Sequence, residues 1–139
     1  MKKETKLLLV DDDDVFIFIT KKTIDESRLV GEVNVCANGM DAIRFLEKLL
    51  PEPEKLPDVI LLDLNMPVLD GWGFLAEYET LRKKLPGKID LYVVSSSVSP
   101  HEVERAKSFS YVSDFIVKPV TAETIGLIRE RLTRQEGNN

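Results

Sequence analysis

At 139 residues, 43% of them hydrophobic and 31% charged, the chain is sized for one domain with a real core and has the make-up of an ordinary globular protein. A formal net charge of −5 removes any general attraction to nucleic acid phosphates or to anionic membrane, so neither is an expected partner. The one cysteine, Cys36, excludes an internal disulfide and fits a reducing, cytoplasmic setting.

The first six residues, Met1-Lys2-Lys3-Glu4-Thr5-Lys6, precede only four apolar ones. That is too few for a secretory signal, and far short of the roughly 20 that cross a membrane. The four, Leu7-Leu8-Leu9-Val10, read as a first strand. A helix follows, opened by acidic residues and by the apolar run Val15-Phe16-Ile17-Phe18-Ile19. Val33-Asn34-Val35-Cys36 is a second strand, and Ala42, Ile43, Phe45, Leu46 and Leu49 carry helical spacing up to Pro51. Val59-Ile60-Leu61-Leu62 is a third strand, followed by a helix near Gly71-Trp72 with the stripe Phe74, Leu75, Tyr78 and Leu81.

Leu91-Tyr92-Val93-Val94 is a fourth strand. Ser99-Pro100 opens a short helix with the stripe Val103, Ala106 and Phe109. Phe115-Ile116-Val117 is a fifth strand, and Thr121 caps a last helix built on Ile125, Ile128 and Leu132. Strands that are apolar at every position are covered on both faces. Five strand–helix units in alternation therefore predict a doubly wound parallel α/β sheet, with its ligand site at the carboxyl ends of the strands. Residues 1–139 read as a single domain, core about 6–134, with short tails.

Those carboxyl ends hold a distinctive set. Asp11, Asp12, Asp13 and Asp14 follow the first strand. Packed together they repel, which a hard divalent cation such as Mg2+ offsets; Asp13 and Asp14 serve better as helix-capping residues. Asp63 ends the third strand, too far from the next helix to cap it and too costly to bury without a partner. Ser95 follows the fourth strand, where a hydroxyl is equally at home in an ordinary loop, and Lys118-Pro119 follows the fifth. Carboxylates that hold a metal, with a lysine and a hydroxyl to meet phosphoryl oxygens, make a set suited to phosphoryl transfer.

In these residues the sequence resembles the receiver domains of bacterial response regulators, the CheY-like family. The matching segments are Leu8-Leu9-Val10-Asp11-Asp12, Asp58 to Pro67 with Asp70-Gly71, Val93-Val94-Ser95-Ser96 and Phe115-Ile116-Val117-Lys118-Pro119. The resemblance implies a flavodoxin-like strand order 2-1-3-4-5, an order that general accounts of this fold illustrate with CheY itself. It also implies a phosphoryl-accepting signalling switch of a two-component phosphorelay rather than an enzyme acting on other molecules. By the family pattern Asp63 is the phosphoacceptor, and Asp11, Asp12, Asp63 and the Asn65 backbone carbonyl hold Mg2+. Ser95 and Lys118 meet the phosphoryl group, Ser95 and Phe115 form the switch, and the Lys118-Pro119 bond is cis.

The implied partners are a sensor histidine kinase or histidine phosphotransfer protein and an unidentified protein target, with room for a phosphorylation-dependent homodimer. Phosphorylation is expected to shift the face made by the fourth and fifth strands and helices. Asn65 and Ser97 stand where the family tunes phosphoryl lifetime. Ser95 replaces the commoner threonine, and Phe115 stands where tyrosine is also common. In the first helix, Phe16 or Ile17 is expected to face solvent and dock the phosphodonor, while Trp72 anchors the third helix and His101 has no role. One rival reading is a haloacid dehalogenase-type aspartyl phosphatase using Asp11 and Asp13, with Val15 completing its opening pattern; it leaves Asp63 unexplained. A flavin or nucleotide cradle fits worse, because four aspartates repel phosphate.

Overall fold

The computed structural model describes residues 4–28, 30–96 and 99–137, and among these five segments form one parallel sheet. The strands are β1 (Lys6–Val10), β2 (Glu32–Cys36), β3 (Val59–Asp63), β4 (Asp90–Ser95) and β5 (Val112–Val117), in the order β2-β1-β3-β4-β5. The helices between and after them are α1 (Asp14–Ser27), α2 (Gly39–Leu49), α3 (Gly71–Leu81), α4 (Pro100–Lys107) and α5 (Ala122–Gly137).

Alternation along the central strands divides the core in two. Leu8, Val10, Ile60, Leu62, Leu91 and Val93 meet Ala42, Ile43 and Leu46 of α2 and Phe74, Leu75 and Tyr78 of α3. Leu7, Leu9, Val59, Leu61, Tyr92 and Val94 meet Phe16 and Ile24 of α1 and Ile125, Ile128 and Leu132 of α5. Burying a Val, Leu, Ile or Phe side chain among these contributes about 1.5–3 kcal/mol of transfer free energy, so both faces of the sheet drive folding. That is why β1, β3 and β4 lack polar alternation over most of their length.

The outer strands depart from the uninterrupted apolar pattern. β5 begins at Val112, three residues before the apolar run Phe115–Val117. Its first half, Val112-Ser113-Asp114, lies half-buried at the sheet edge, where polar side chains reach water. The pairing with β4 also slips between Leu91 and Tyr92, which absorbs one residue. α4 buries only Ala106 completely and stops at Lys107, leaving Phe109 of the expected stripe in the following turn. In α1 the apolar run divides differently from expectation: Phe16 is buried at 9% exposure, while Val15 (67%) and Phe18 (68%) face solvent.

Val68, in the loop between β3 and α3, has φ 70° and is 80% exposed. A β-branched residue in the left-handed region carries about 1–2 kcal/mol of backbone strain, and at this exposure it recovers little by burial. Val68→Asn is expected to stabilise the fold by about 1 kcal/mol, seen as a rise of about 3 °C in Tm by differential scanning calorimetry.

Candidate functional site

The site gathers at the carboxyl edge of the sheet. Where β1 ends, the Asp11 N–H donates to the Cys36 carbonyl at 3.0 Å, tying this turn to the end of β2. Asp11 Oδ1 accepts from the Asp13 N–H at 2.9 Å, which aims the other oxygen into the site. Asp13 is the N-cap of α1: its Oδ1 accepts from the N–H groups of Val15 (3.0 Å) and Phe16 (3.2 Å). Asp14 is the first helical residue, where a carboxylate favours the helix dipole.

β3 delivers Asp63, a residue 6% exposed. Its loop is held by two close approaches. The Gly71 N–H donates to the Leu64 carbonyl at 2.9 Å, and a Cβ on Gly71 would lie 2.6 Å from the Asp63 carbonyl oxygen. At the start of α2, the Gly39 N–H donates to the Leu69 carbonyl at 2.8 Å, where a Cβ would again lie 2.6 Å from oxygen. β4 ends in Ser95, which is buried, and its carbonyl accepts from the Lys118 N–H at 2.9 Å. The Lys118-Pro119 bond is cis.

Lys118 reaches across the sheet edge. Its Nζ stands 3.0 Å from Asp11 Oδ2 and 3.3 Å from Asp63 Oδ1. The contact with Asp11 Oδ2 is a buried ion pair. Lys118 Nζ also lies 4.1 Å from the centroid of the Phe16 ring. Oxygens of Asp11, Asp12 and Asp63 all fall within 4.8 Å of one another.

Charge crowding shows in the acid–base balance. Burial, and then the charge of Asp11, push the Asp63 carboxyl up to about 6, although Lys118 pulls it down in part. For Lys118, burial alone would lower the pKa, but its contacts with Asp11 and Asp63 outweigh that and hold it above the usual lysine value. Three clustered carboxylates, two of them paired with one ammonium, are an oxygen-only donor set with surplus negative charge, which suits a hard divalent cation.

Asp11, Asp12, Asp63 and Lys118 are thus brought together. Asn65 sits exposed in the loop after β3, and Phe115 is half-buried on β5 against the α2–α4 side of the core. Ser97 lies outside the described residues. Trp72 is half-buried at the start of α3, stacked on Phe109 with the Arg105 guanidinium 4.1 Å from its ring centroid. Sequence reasoning missed the inward turn of Phe16 towards Lys118. The signal for it was the phase of α1: with Asp13 as cap, Phe16 falls on one stripe with Thr20 and Ile24.

The family model of the response regulator receiver domain matches residues 7–128, and the chain belongs to that family. Among solved structures it is similar to a two-component response regulator from Cytophaga hutchinsonii, with TM-score 0.83, 26% identity, and 96% of this chain and 99% of that one covered. A response regulator receiver protein from Dyadobacter fermentans gives TM-score 0.76 and 29% identity, covering 94% and 96%. Among curated proteins it is 25% identical to the probable methanogenesis regulatory protein FilR2 of Methanothrix harundinacea, over 86% of this chain and 75% of that protein. It spans only 12% to 35% of the next four relatives.

The chain is therefore a receiver domain whose relatives are two-component response regulators, and the haloacid dehalogenase reading finds no support. Asp13, which that reading needs in the site, is engaged as a helix cap. No described helix is long and apolar enough to cross a membrane.

Proposed function

We propose that Asp63 accepts a phosphoryl group from a partner's phosphohistidine and that the phosphorylated domain signals by a change of shape. The observation that carries this reading is the convergence of Lys118 Nζ with Asp11 and Asp63 at 3.0 and 3.3 Å. An oxygen of the Asp63 carboxylate attacks phosphorus, the new P–O bond forms as the P–N bond breaks, and the bonding pair stays on the imidazole of the donor. Asp11, Asp12, Asp63 and the Asn65 carbonyl would hold Mg2+. The ion would neutralise the crowded carboxylates and draw charge from the phosphoryl oxygens. Lys118 pairs with the incoming phosphoryl oxygens, and the Ser95 hydroxyl accompanies it from the end of β4.

Phosphorylation adds about −1.5 to −2 charge beside Lys118 and Ser95. Ser95 moves toward it, and the half-buried Phe115 turns into the space behind, altering the surface of β4, α4, β5 and α5 for a protein target or a second copy. The phosphodonor, a sensor histidine kinase or a histidine phosphotransfer protein, docks on Val15, Phe18 and Ile19, the exposed apolar residues of α1. The domain works as a switch rather than as an enzyme on other substrates, and the free Cys36 accords with a cytoplasmic setting.

Incubation with acetyl phosphate and Mg2+, followed by intact mass and peptide mapping, tests the proposal. The expected result is one phosphoryl group per chain, dependent on Mg2+ and mapped to Asp63. Phosphate mapped to Asp11 or another residue, or no adduct at all, would overturn it.

A further inference from the structure

Lysine at the site edge is a point charge on a flexible four-carbon stem, so something must hold it where a phosphoryl group will arrive. Two carboxylates, Asp11 and Asp63, stand within ion-pair distance of it. On the phosphoryl-transfer reading, which this inference deepens, Asp11 and Asp63 are also the groups given over to the cation and to the new P–O bond. A third described neighbour of Lys118 Nζ is the Phe16 ring, with its centroid at 4.1 Å.

We propose that Phe16 is a positioning residue for phosphoryl transfer: the face of its ring holds the Lys118 ammonium beside Asp63 once the carboxylates are otherwise engaged. An aromatic face attracts an ammonium through its quadrupole, yet it has no lone pair that a phosphoryl oxygen would have to displace. It therefore confines the charge without competing for the lysine's hydrogen bonds.

Phe16 is itself well fixed. It is buried in the cluster with Leu9, Leu61 and Val94, and its N–H is bonded to the Asp13 cap at 3.2 Å. The cap sets the phase of α1, and that phase turns Phe16 inward while its neighbours Val15 and Phe18 face solvent. Asp13 thus contributes to the site at one remove, through the ring.

Phe16→Leu keeps an apolar side chain but removes the ring, while Phe16→Tyr keeps the ring face; Phe16→Met is a second ring-free variant should leucine perturb folding. At saturating Mg2+, phosphorylation by acetyl phosphate is expected to slow about tenfold in Phe16→Leu, within the range of a desolvated cation–π contact. Mg2+ affinity should stay within about twofold of wild type, and Phe16→Tyr should restore the rate. A second readout needs no phosphoryl chemistry: the Lys118 ε-methylene protons should be ring-shifted upfield in the NMR spectrum of wild type and Phe16→Tyr, and return toward ordinary lysine values in Phe16→Leu.

Unshifted Lys118 protons in wild type, or an undiminished rate in both ring-free variants, would overturn the proposal. A wild type with ring-shifted Lys118 protons but no adduct on Asp63 would support the Lys118–Phe16 contact and overturn the transfer reading instead.

Discussion

Asp63→Asn is expected to eliminate the Mg2+-dependent phosphoryl adduct and, in the same molecule, to make the ion-free protein more stable at pH 7 by up to about 3 kcal/mol. The two effects share one origin. Burial and the charge of Asp11 raise the Asp63 carboxyl from its ordinary 3.8 to about 6. The native state therefore holds this proton more tightly than the unfolded chain does. Below about pH 4 both states are protonated and the group costs nothing; between about pH 4 and 6 stability falls; above about pH 6 the full cost remains. The difference between 6 and 3.8, at about 1.36 kcal/mol per pH unit, sets the size.

Urea unfolding at pH 4 and pH 7 in the presence of a chelator measures this. Wild type should gain stability relative to the asparagine variant as the pH is lowered, and the two curves should converge near pH 4. Saturating Mg2+ should stabilise wild type much more than the variant, because the variant lacks one carboxylate of the proposed binding set. An asparagine variant less stable than wild type at pH 7 without divalent ions would mean that Lys118 already compensates Asp63 in full.

Where sequence and structure agree, the reason is that one physical signal dominates. β1, β3 and β4 are buried on both faces, so their apolar runs are readable without knowing what covers them. Edge strand β5 is not, because Ser113 and Asp114 are tolerated where only one side is paired. The charged set was legible because a parallel sheet places Asp11, Asp63, Ser95 and Lys118 at one edge once the strands are placed.

What escaped depends on phase or close approach. Five apolar residues in a row do not say which one faces the sheet; the Asp13 cap decides for Phe16, and Val15, Phe18 and Ile19 are left to solvent. Gly39 looks like any helix-opening glycine until the Leu69 carbonyl oxygen is found 2.6 Å from where its Cβ would stand. Val68 is unremarkable by composition, and only its φ of 70° identifies it as strained.

Lys118→Met is expected to destabilise the ion-free protein by about 3 kcal/mol at pH 7, and Mg2+ should recover most of that loss without recovering phosphoryl transfer. Methionine keeps much of the apolar stem, so the change is chiefly one of charge. The side chains of Asp11 and Asp63 are almost wholly shielded from water, and Lys118 is the cation within ion-pair distance of both. Removing one member of a buried ion pair leaves an uncompensated charge, typically about 3–5 kcal/mol. Lys118 also lowers the Asp63 pKa, so in the variant that carboxyl rises further above its ordinary value. The part of the loss that comes through Asp63 should accordingly be small near pH 4 and grow as the pH climbs past it. A divalent cation would restore positive charge among the carboxylates and with it stability, but on the proposed reading it would leave the incoming phosphoryl oxygens without their ammonium. If Mg2+ rescued both stability and the acetyl phosphate reaction rate, Lys118 would be a counter-ion for the empty acidic site alone. Rescue of stability with the rate still depressed would assign it to the transfer step as well.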